Sequence, residues 1–234
     1  FYRSYQEQAA YDEIRRQFEE QVQEEDNPSP ANSSRPPEYD PVTRLSIMQR
    51  YEKLLDINKD IAGWISIPGT NIDYPVVKTD NNQYYLDHNI YGEKVKAGAI
   101  FMDYRNDSAA RDKNTILYGH HMRDGSMFTA LMKYKKKQSF FEENSIIRFD
   151  TLYEEIKWEI FSVYITTADD PYTTISFSSD EEYLKFLEKI KRKSMYKKDM
   201  ELTADDQILT LSTCTYEYDD ARFVVHARRV RASK

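Results

Sequence analysis

The sequence predicts a mainly β fold with helices, built as an eight-stranded barrel. Three observations carry that expectation. Eight short apolar runs, alternating or β-branched, are separated by Pro-Gly, Asn and Asp turn signals. Helical periodicity is confined to a few segments ahead of and between those runs. The 234 residues, 40% of them hydrophobic, suffice for one sizeable core plus an appendage. Eight short strands at irregular spacing point to a closed or nearly closed barrel.

In chain order, residues 1–25 lack Gly and Pro and place Tyr11, Ile14, Phe18 and Val22 at three- and four-residue steps. That spacing makes one narrow apolar stripe on an appendage helix. Residues 26–42 hold Pro28, Pro30, Pro36, Pro37 and Pro41 among Ser and Asn. Proline fixes φ and lacks the backbone donor, so this stretch reads as an extended linker. The main domain then spans 43–234. It opens with a helix at about 43–57 whose Leu45, Met48, Leu54 and Leu55 face a core.

From Ile61 the period changes to that of strands. The runs are Gly63–Thr70, Ile72–Val77, 97–103, 114–118, 145–149, 155–166, 207–213 and 222–230. Two helices interrupt them. Residues 126–135 start at a Ser cap and carry Met127, Leu131 and Tyr134 on one side. Residues 180–193 have acids in the first turn and bases in the last, with Tyr183, Leu184, Leu187 and Ile190 as the buried stripe.

Composition excludes several functions. A net charge of -7 and a pI near 5.3 disfavour nucleic-acid binding, which usually needs a basic face. One cysteine makes no intrachain disulfide, and with four histidines the chain is poor in soft ligands for structural zinc, so no metal or cofactor is expected. Six glycines form no phosphate-cradling loop. No apolar run approaches the roughly 18 residues of a membrane span. The chain opens on Phe rather than Met, which predicts upstream trimming that could have removed a signal or anchor.

Chemistry concentrates at three places. Cys214 ends the run Thr210-Leu211-Ser212-Thr213-Cys214, where alternation puts Ile208, Thr210, Ser212 and Cys214 on one face. That face is the more polar one and suits a groove, although free cysteines are often simply buried. His120 and His121 follow Gly119 at another strand end, and adjacent strand residues point to opposite faces, so one of them at most meets the cysteine. An exposed loop histidine is the plainer reading of either. His226 shares parity with Arg222 but lies about 13 Å along the strand. Arg222 opens the last strand. It is either solvated or returns beside Cys214 across the 215–221 loop, where its fixed charge stabilises a thiolate and an oxyanion.

With those residues in place, the chain resembles the sortases, through Tyr118-Gly119-His120, the run Thr210 to Cys214, and Arg222. Gly63-Trp64-Ile65, the stretch Pro68 to Val77, Asp80-Asn81-Asn82, Tyr85-Leu86 and Phe101 to Asn106 resemble class B in particular, as does the long helix before the cysteine strand. The resemblance covers about residues 44–231 and leaves the first helix and the linker outside.

The resemblance implies a sortase-type barrel acting as a cysteine transpeptidase at the extracellular face of a bacterial membrane. It implies an N-terminal membrane anchor that this sequence does not include. In such enzymes the cysteine attacks a backbone carbonyl in a sorting motif near the C-terminus of a secreted protein. The thioester is then resolved by an amine of the peptidoglycan cross-bridge or its lipid-linked precursor, or by a pilin lysine in some members. Carried onto this sequence, Cys214 is the nucleophile, His120 the proton carrier and Arg222 the oxyanion holder. Asn82, Leu86, Tyr172 and Ser212 are expected near the bound peptide.

Two rivals remain in view. A cysteine peptidase would use the same thiol and imidazole, but papain-like enzymes place Cys before His and the caspase signature is missing. A non-catalytic surface-adhesion barrel would bury the thiol. The basic runs Lys133 to Lys137 and Lys189 to Lys198 read as solvated helix ends, or as a face toward anionic wall polymer or lipid.

Overall fold

A computed structural model describes residues 2–28, 36–214 and 220–231, with backbone alone for 2–7. Part of the expected linker, 29–35, and the loop residues 215–219 between Cys214 and Arg222 lie outside the described residues. Every expected apolar run forms a strand: β1 (Ile61–Ser66), β2 (Asp73–Val77), β3 (Ile100–Met102), β4 (Asn114–Tyr118), β5 (Ile146–Thr151), β6 (Lys157–Thr167), β7 (Ile208–Cys214) and β8 (Ala221–Arg229). They close in the order β1-β2-β3-β4-β7-β8-β6-β5, with β1 pairing back onto β5. β2 pairs with β3 and β4 with β7 in parallel, and the other pairs are antiparallel.

Period-two alternation divides β6, β7 and β8 between two cores. Leu117, Leu209, Leu211, Phe223, Val225 and Ala227 belong to the main core. Their neighbours Ile208 and Val224 instead join Phe161, Tyr164 and Tyr172 beneath the helix α5 (Asp180–Arg192). That helix forms as expected. Ser179 accepts from the Glu182 N–H at 3.2 Å, and the Glu182 carboxylate accepts from the Ser178 N–H at 2.6 Å. Tyr183, Leu187 and Ile190 are buried.

The first helix, α1 (Tyr2–Asp26), turns its stripe of Tyr11, Ile14 and Phe18 into the main core. Phe18 stacks on Trp64 with centroids 4.2 Å apart, and Tyr11 meets Tyr74 edge-on at 5.2 Å. Arg15 Nε donates to the Asp73 carbonyl at 2.7 Å, and Arg50 bridges Glu25 and Glu155. α1 therefore lies over β1 and β2. In an eight-stranded ring, β1 is four strands from β7 in either direction, so α1 covers the wall opposite the cysteine strand.

Two helices differ from the sequence expectation in where they begin. The segment expected to be helical over 43–57 forms a 3-10 turn at Gln49–Tyr51 and then α2 (Glu52–Ile57). Ahead of it, Asp40 Oδ1 accepts the N–H groups of Val42 and Thr43, and Arg44 takes φ +58°. An aspartate that satisfies the backbone locally competes with the helix and wins here. Leu54 is buried, Met48 and Leu55 pack on the core, and Leu45 is half-exposed.

Similarly, Ser126 does not cap the helix after it. Its N–H and hydroxyl both bond Asp124 Oδ1, and Met127 at φ +54° leads into a 3-10 turn, Phe128–Leu131, and α3 (Met132–Lys136). Met127, Leu131 and Tyr134 are buried on one side as expected. A further short helix, α4 (Gln138–Glu143), was not foreseen. Among the described residues no helix is long and apolar enough to cross a membrane.

Candidate active site

Register pairs two of the three candidate groups and brings the third close to their strands. Cys214 pairs directly with Arg222 across the antiparallel β7–β8 ladder. On the other side, Tyr118 pairs with Ser212 in the parallel β4–β7 ladder, and the Gly119 N–H continues it by donating to the Ser212 carbonyl at 3.2 Å. The ladder ends there, and His120 follows Gly119 just beyond the end of β4, beside the strand that carries Cys214. Alternation sets Cys214 and Arg222 on the outer face of the barrel, because Leu211 and Phe223 point inward.

The thiol of Cys214 is exposed and unbridged, which removes the simple-packing alternative for it. Arg222 is half-buried and donates from Nη1 to the Ala221 carbonyl at 3.1 Å. His120 Nε2 bonds the Leu86 carbonyl at 2.7 Å. A carbonyl only accepts, so Nε2 carries the proton and a neutral ring keeps Nδ1 as its basic nitrogen. His121 Nδ1 donates, by the same logic, to the Cys214 carbonyl at 3.2 Å. Burial holds the His121 pKa below its ordinary value. His120 therefore follows the end of β4 with its ring on Leu86, while the His121 ring reaches Cys214.

The four residues expected near the peptide fall into two pairs. Tyr172 and Ser212 are buried against each other, hydroxyl to hydroxyl at 2.9 Å. Burial raises the Tyr172 pKa, while the Ser212 hydrogen bond and the charge of Arg222 act in the opposite direction. Leu86 is 42% exposed and offers its carbonyl to His120. Asn82 donates to Asp103 Oδ2 at 3.1 Å and accepts from the Tyr104 N–H at 3.0 Å.

The polar face of β7 is not the open groove that its composition suggests. Thr210 and Ser212 are covered, and Cys214 alone of that face is exposed. Beneath, Thr210 Oγ1 donates to Asn114 Oδ1 at 2.6 Å and accepts from His226 Nδ1 at 2.8 Å; His226 Nε2 in turn accepts from Tyr164 at 2.9 Å. Asn114 Nδ2 reaches the Tyr172 and Thr174 carbonyls at 3.1 and 2.9 Å. Burial pushes the His226 pKa down to about 3, so this third histidine is a neutral structural group held between Thr210 and Tyr164. Asn114 and Asp103 were missed because their weight comes from tertiary partners. An acid closing the apolar run 97–103 was the available signal for Asp103.

A separate groove between α1 and the barrel, lined by Arg15, Phe18, Trp64, Asp150 and Arg229 among others, holds none of the candidate groups. Among the described residues no group of three or more His, Cys, Asp or Glu gathers as a metal would require.

This geometry coincides with clear relatives. Residues 65–230 match the Sortase domain family. Sortase B of Staphylococcus aureus is 42% identical over 189 residues, which is 80% of this chain and 77% of the relative. Sortase B of Listeria monocytogenes is 41% identical over 179 residues, 76% of this chain and 72% of the relative. The solved Staphylococcus aureus sortase B–substrate complex covers 100% of both chains with a TM-score of 0.85 at 36% identity. The chain thus belongs to the sortase family, in its class B, and is a sortase-type cysteine transpeptidase.

Proposed function

We propose that this sortase cleaves a C-terminal sorting motif of secreted proteins and joins the acyl fragment to a peptidoglycan amine, through a thioester on Cys214. The observation that carries the reading is the direct pairing of an exposed Cys214 with Arg222 across β7 and β8, with His120 just past the end of the neighbouring strand β4.

The Cys214 thiolate attacks the scissile carbonyl carbon, and Arg222 holds the resulting oxyanion. The C–N bond breaks as protonated His120 gives its proton to the departing amine, leaving a thioester. An incoming amine attacks that carbonyl, gives a proton to His120 and expels the thiolate. Protons and electron pairs return to their starting places, and peptide bond energy is conserved in the new amide. Tyr172 and Ser212 form the floor of the peptide groove, with Leu86 and Asn82 on its wall. The setting is the extracellular face of the membrane, with an anchor upstream of this sequence and residues 43–234 as the catalytic domain.

Fluorogenic sorting peptides, incubated with and without candidate amines, test the reading. Amine-dependent ligation by the wild type is expected, with no thioester from Cys214→Ala. His120→Ala and Arg222→Ala are expected to lose about 10³-fold in kcat/KM, the scale of a lost acid–base or oxyanion group. Cleavage at a rate and to a product indifferent to amines would instead identify a hydrolysing peptidase.

A further inference from the structure

Asp103 directly follows β3, is fully buried and is none of the three reacting groups, yet five hydrogen bonds converge on its carboxylate. Its Oδ1 accepts the Arg105 N–H at 3.0 Å and Arg105 Nε at 2.8 Å. Its Oδ2 accepts Arg105 Nη2 at 2.8 Å, the Tyr118 hydroxyl at 2.9 Å and Asn82 Nδ2 at 3.1 Å. Arg105 Nη2 then extends to the Thr173 carbonyl at 3.2 Å.

One carboxylate therefore ties together four pieces of chain. The 82–86 segment carries Leu86, whose carbonyl holds His120. Tyr118 is two residues before His120. The turn at Pro171–Thr173 carries Tyr172, which holds Ser212. The 103–105 corner joins them. A buried ion pair adds little net stability over apolar packing of the same volume, so the argument for a carboxylate here is the common acceptor it offers to separate loops.

We infer that Asp103 and Arg105 are positioning residues that set the spacing between the Asn82–Leu86 wall and the Tyr172 floor of the groove, and so govern sorting-peptide binding. The inference rests on the peptide-groove reading above. Neither residue is one of the three reacting groups. Their loss widens the groove and leaves the thiol's own chemistry in place. Burial alone would raise the Asp103 pKa, but the hydrogen bonds from Arg105, Tyr118 and Asn82 outweigh it and hold the group ionised.

The test compares two reagents for Cys214: iodoacetamide, which needs no groove, and a sorting peptide carrying a thiol-reactive end group. Arg105→Ala is the chief variant, because its half-exposed side chain can be removed without opening the core. Its iodoacetamide rate and the pH profile of that rate are expected to stay within about two-fold of wild type. Its rate with the peptide reagent should fall about ten-fold and KM rise by about the same factor, with kcat changed by less than about three-fold. Arg105→Lys should recover part of the loss, since a single ammonium cannot span both acceptors as the planar fork does. Asp103→Asn should act in the same direction and more strongly. An unchanged KM in Arg105→Ala, or a fall confined to kcat, overturns the inference. If the wild type itself reacts no faster with the peptide reagent than with iodoacetamide, the sorting reading fails and this inference fails with it. A wild-type preference that Arg105→Ala leaves intact overturns this inference alone.

Discussion

Thr210 and Thr213 share a strand and a side chain but not a face. Thr210 Oγ1 lies in the outer layer and exchanges hydrogen bonds with Asn114 and His226. Thr213 Oγ1 lies on the inward face, buried, with no hydrogen-bond partner among the described residues. Removing one member of a buried polar pair strands the others, whereas removing an unpaired hydroxyl relieves a desolvation penalty. Thr210→Val is therefore expected to cost about 2 kcal/mol and Thr213→Val less than about 0.5 kcal/mol, or to stabilise. Urea unfolding of the two variants checks this, and equal losses would refute it. The histidine doublet separates in the same way. Glutamine at 121 keeps an amide donor for the Cys214 carbonyl, so His121→Gln should retain transpeptidation within about three-fold. Glutamine at 120 supplies no titrating nitrogen, so His120→Gln should lose about 10²-fold or more. The reverse ranking would move the proton carrier to His121. Alternation alone said that at most one of the pair meets the cysteine, and the Tyr-Gly-His motif pointed to His120. What neither revealed is that the His121 ring bonds the Cys214 carbonyl while the His120 ring bonds that of Leu86, contacts made between segments distant in sequence.

At the scale of elements, the strands were legible and the helix ends were not, for a physical reason. A strand announces itself by period two and by the residues that end it. The start of a helix depends on which local acceptor takes the first free N–H groups. Asp40 and Asp124 took them at 40–43 and at 126, delaying α2 and α3 relative to their apolar patterns. α4 stayed hidden because six residues give too few turns to show a period. The parallel pairings, and the cover that Tyr172 and α5 place over β7, join residues far apart in sequence and leave no local trace. The stripe on α1 was visible, but its target was not. That target makes a prediction. Phe18 stacks on Trp64, on the wall of the barrel opposite β7. Phe18→Ala should cost about 3 kcal/mol in denaturant unfolding. The rate at which iodoacetamide modifies folded Cys214 should hold within about two-fold, because no strand of the α1 wall adjoins the site. A fall in that rate matching the loss of stability would show that α1 reaches the site after all.

For the molecule as a whole, two titrating groups, one buried and one half-buried, pull stability in opposite directions with pH. His226 has a folded pKa of about 3 against an ordinary 6.5, because burial disfavours its charged form. Between those values the unfolded chain binds the proton and the folded one does not, so stability is complete above about pH 6.5 and declines as the pH falls. By pH 5 this amounts to about 2 kcal/mol. Asp150 runs the other way. Burial raises its pKa from 3.8 to about 6, so the folded state holds a proton that the unfolded state releases, and stability falls as the pH climbs through that window. Asp150 is only half-buried, and solvent screening reduces its effect to about 1 kcal/mol. His226 therefore prevails, and the urea midpoint of the wild type should drop from pH 7 to pH 5. Asp150→Asn keeps an oxygen to accept the Ile156 N–H and removes the opposing contribution. It should be more stable than wild type at pH 7.5, equal to it near pH 4, and show the steeper acid decline between. Because His226 holds Thr210, and Thr210 holds the Asn114 amide that supports the Tyr172 carbonyl, acid should loosen the groove floor along with the fold. Transpeptidation should then fail irreversibly only where the urea midpoint has also collapsed. A midpoint that rises on acidification, or an Asp150→Asn variant indistinguishable from wild type at pH 7.5, would show that these two groups do not set the balance.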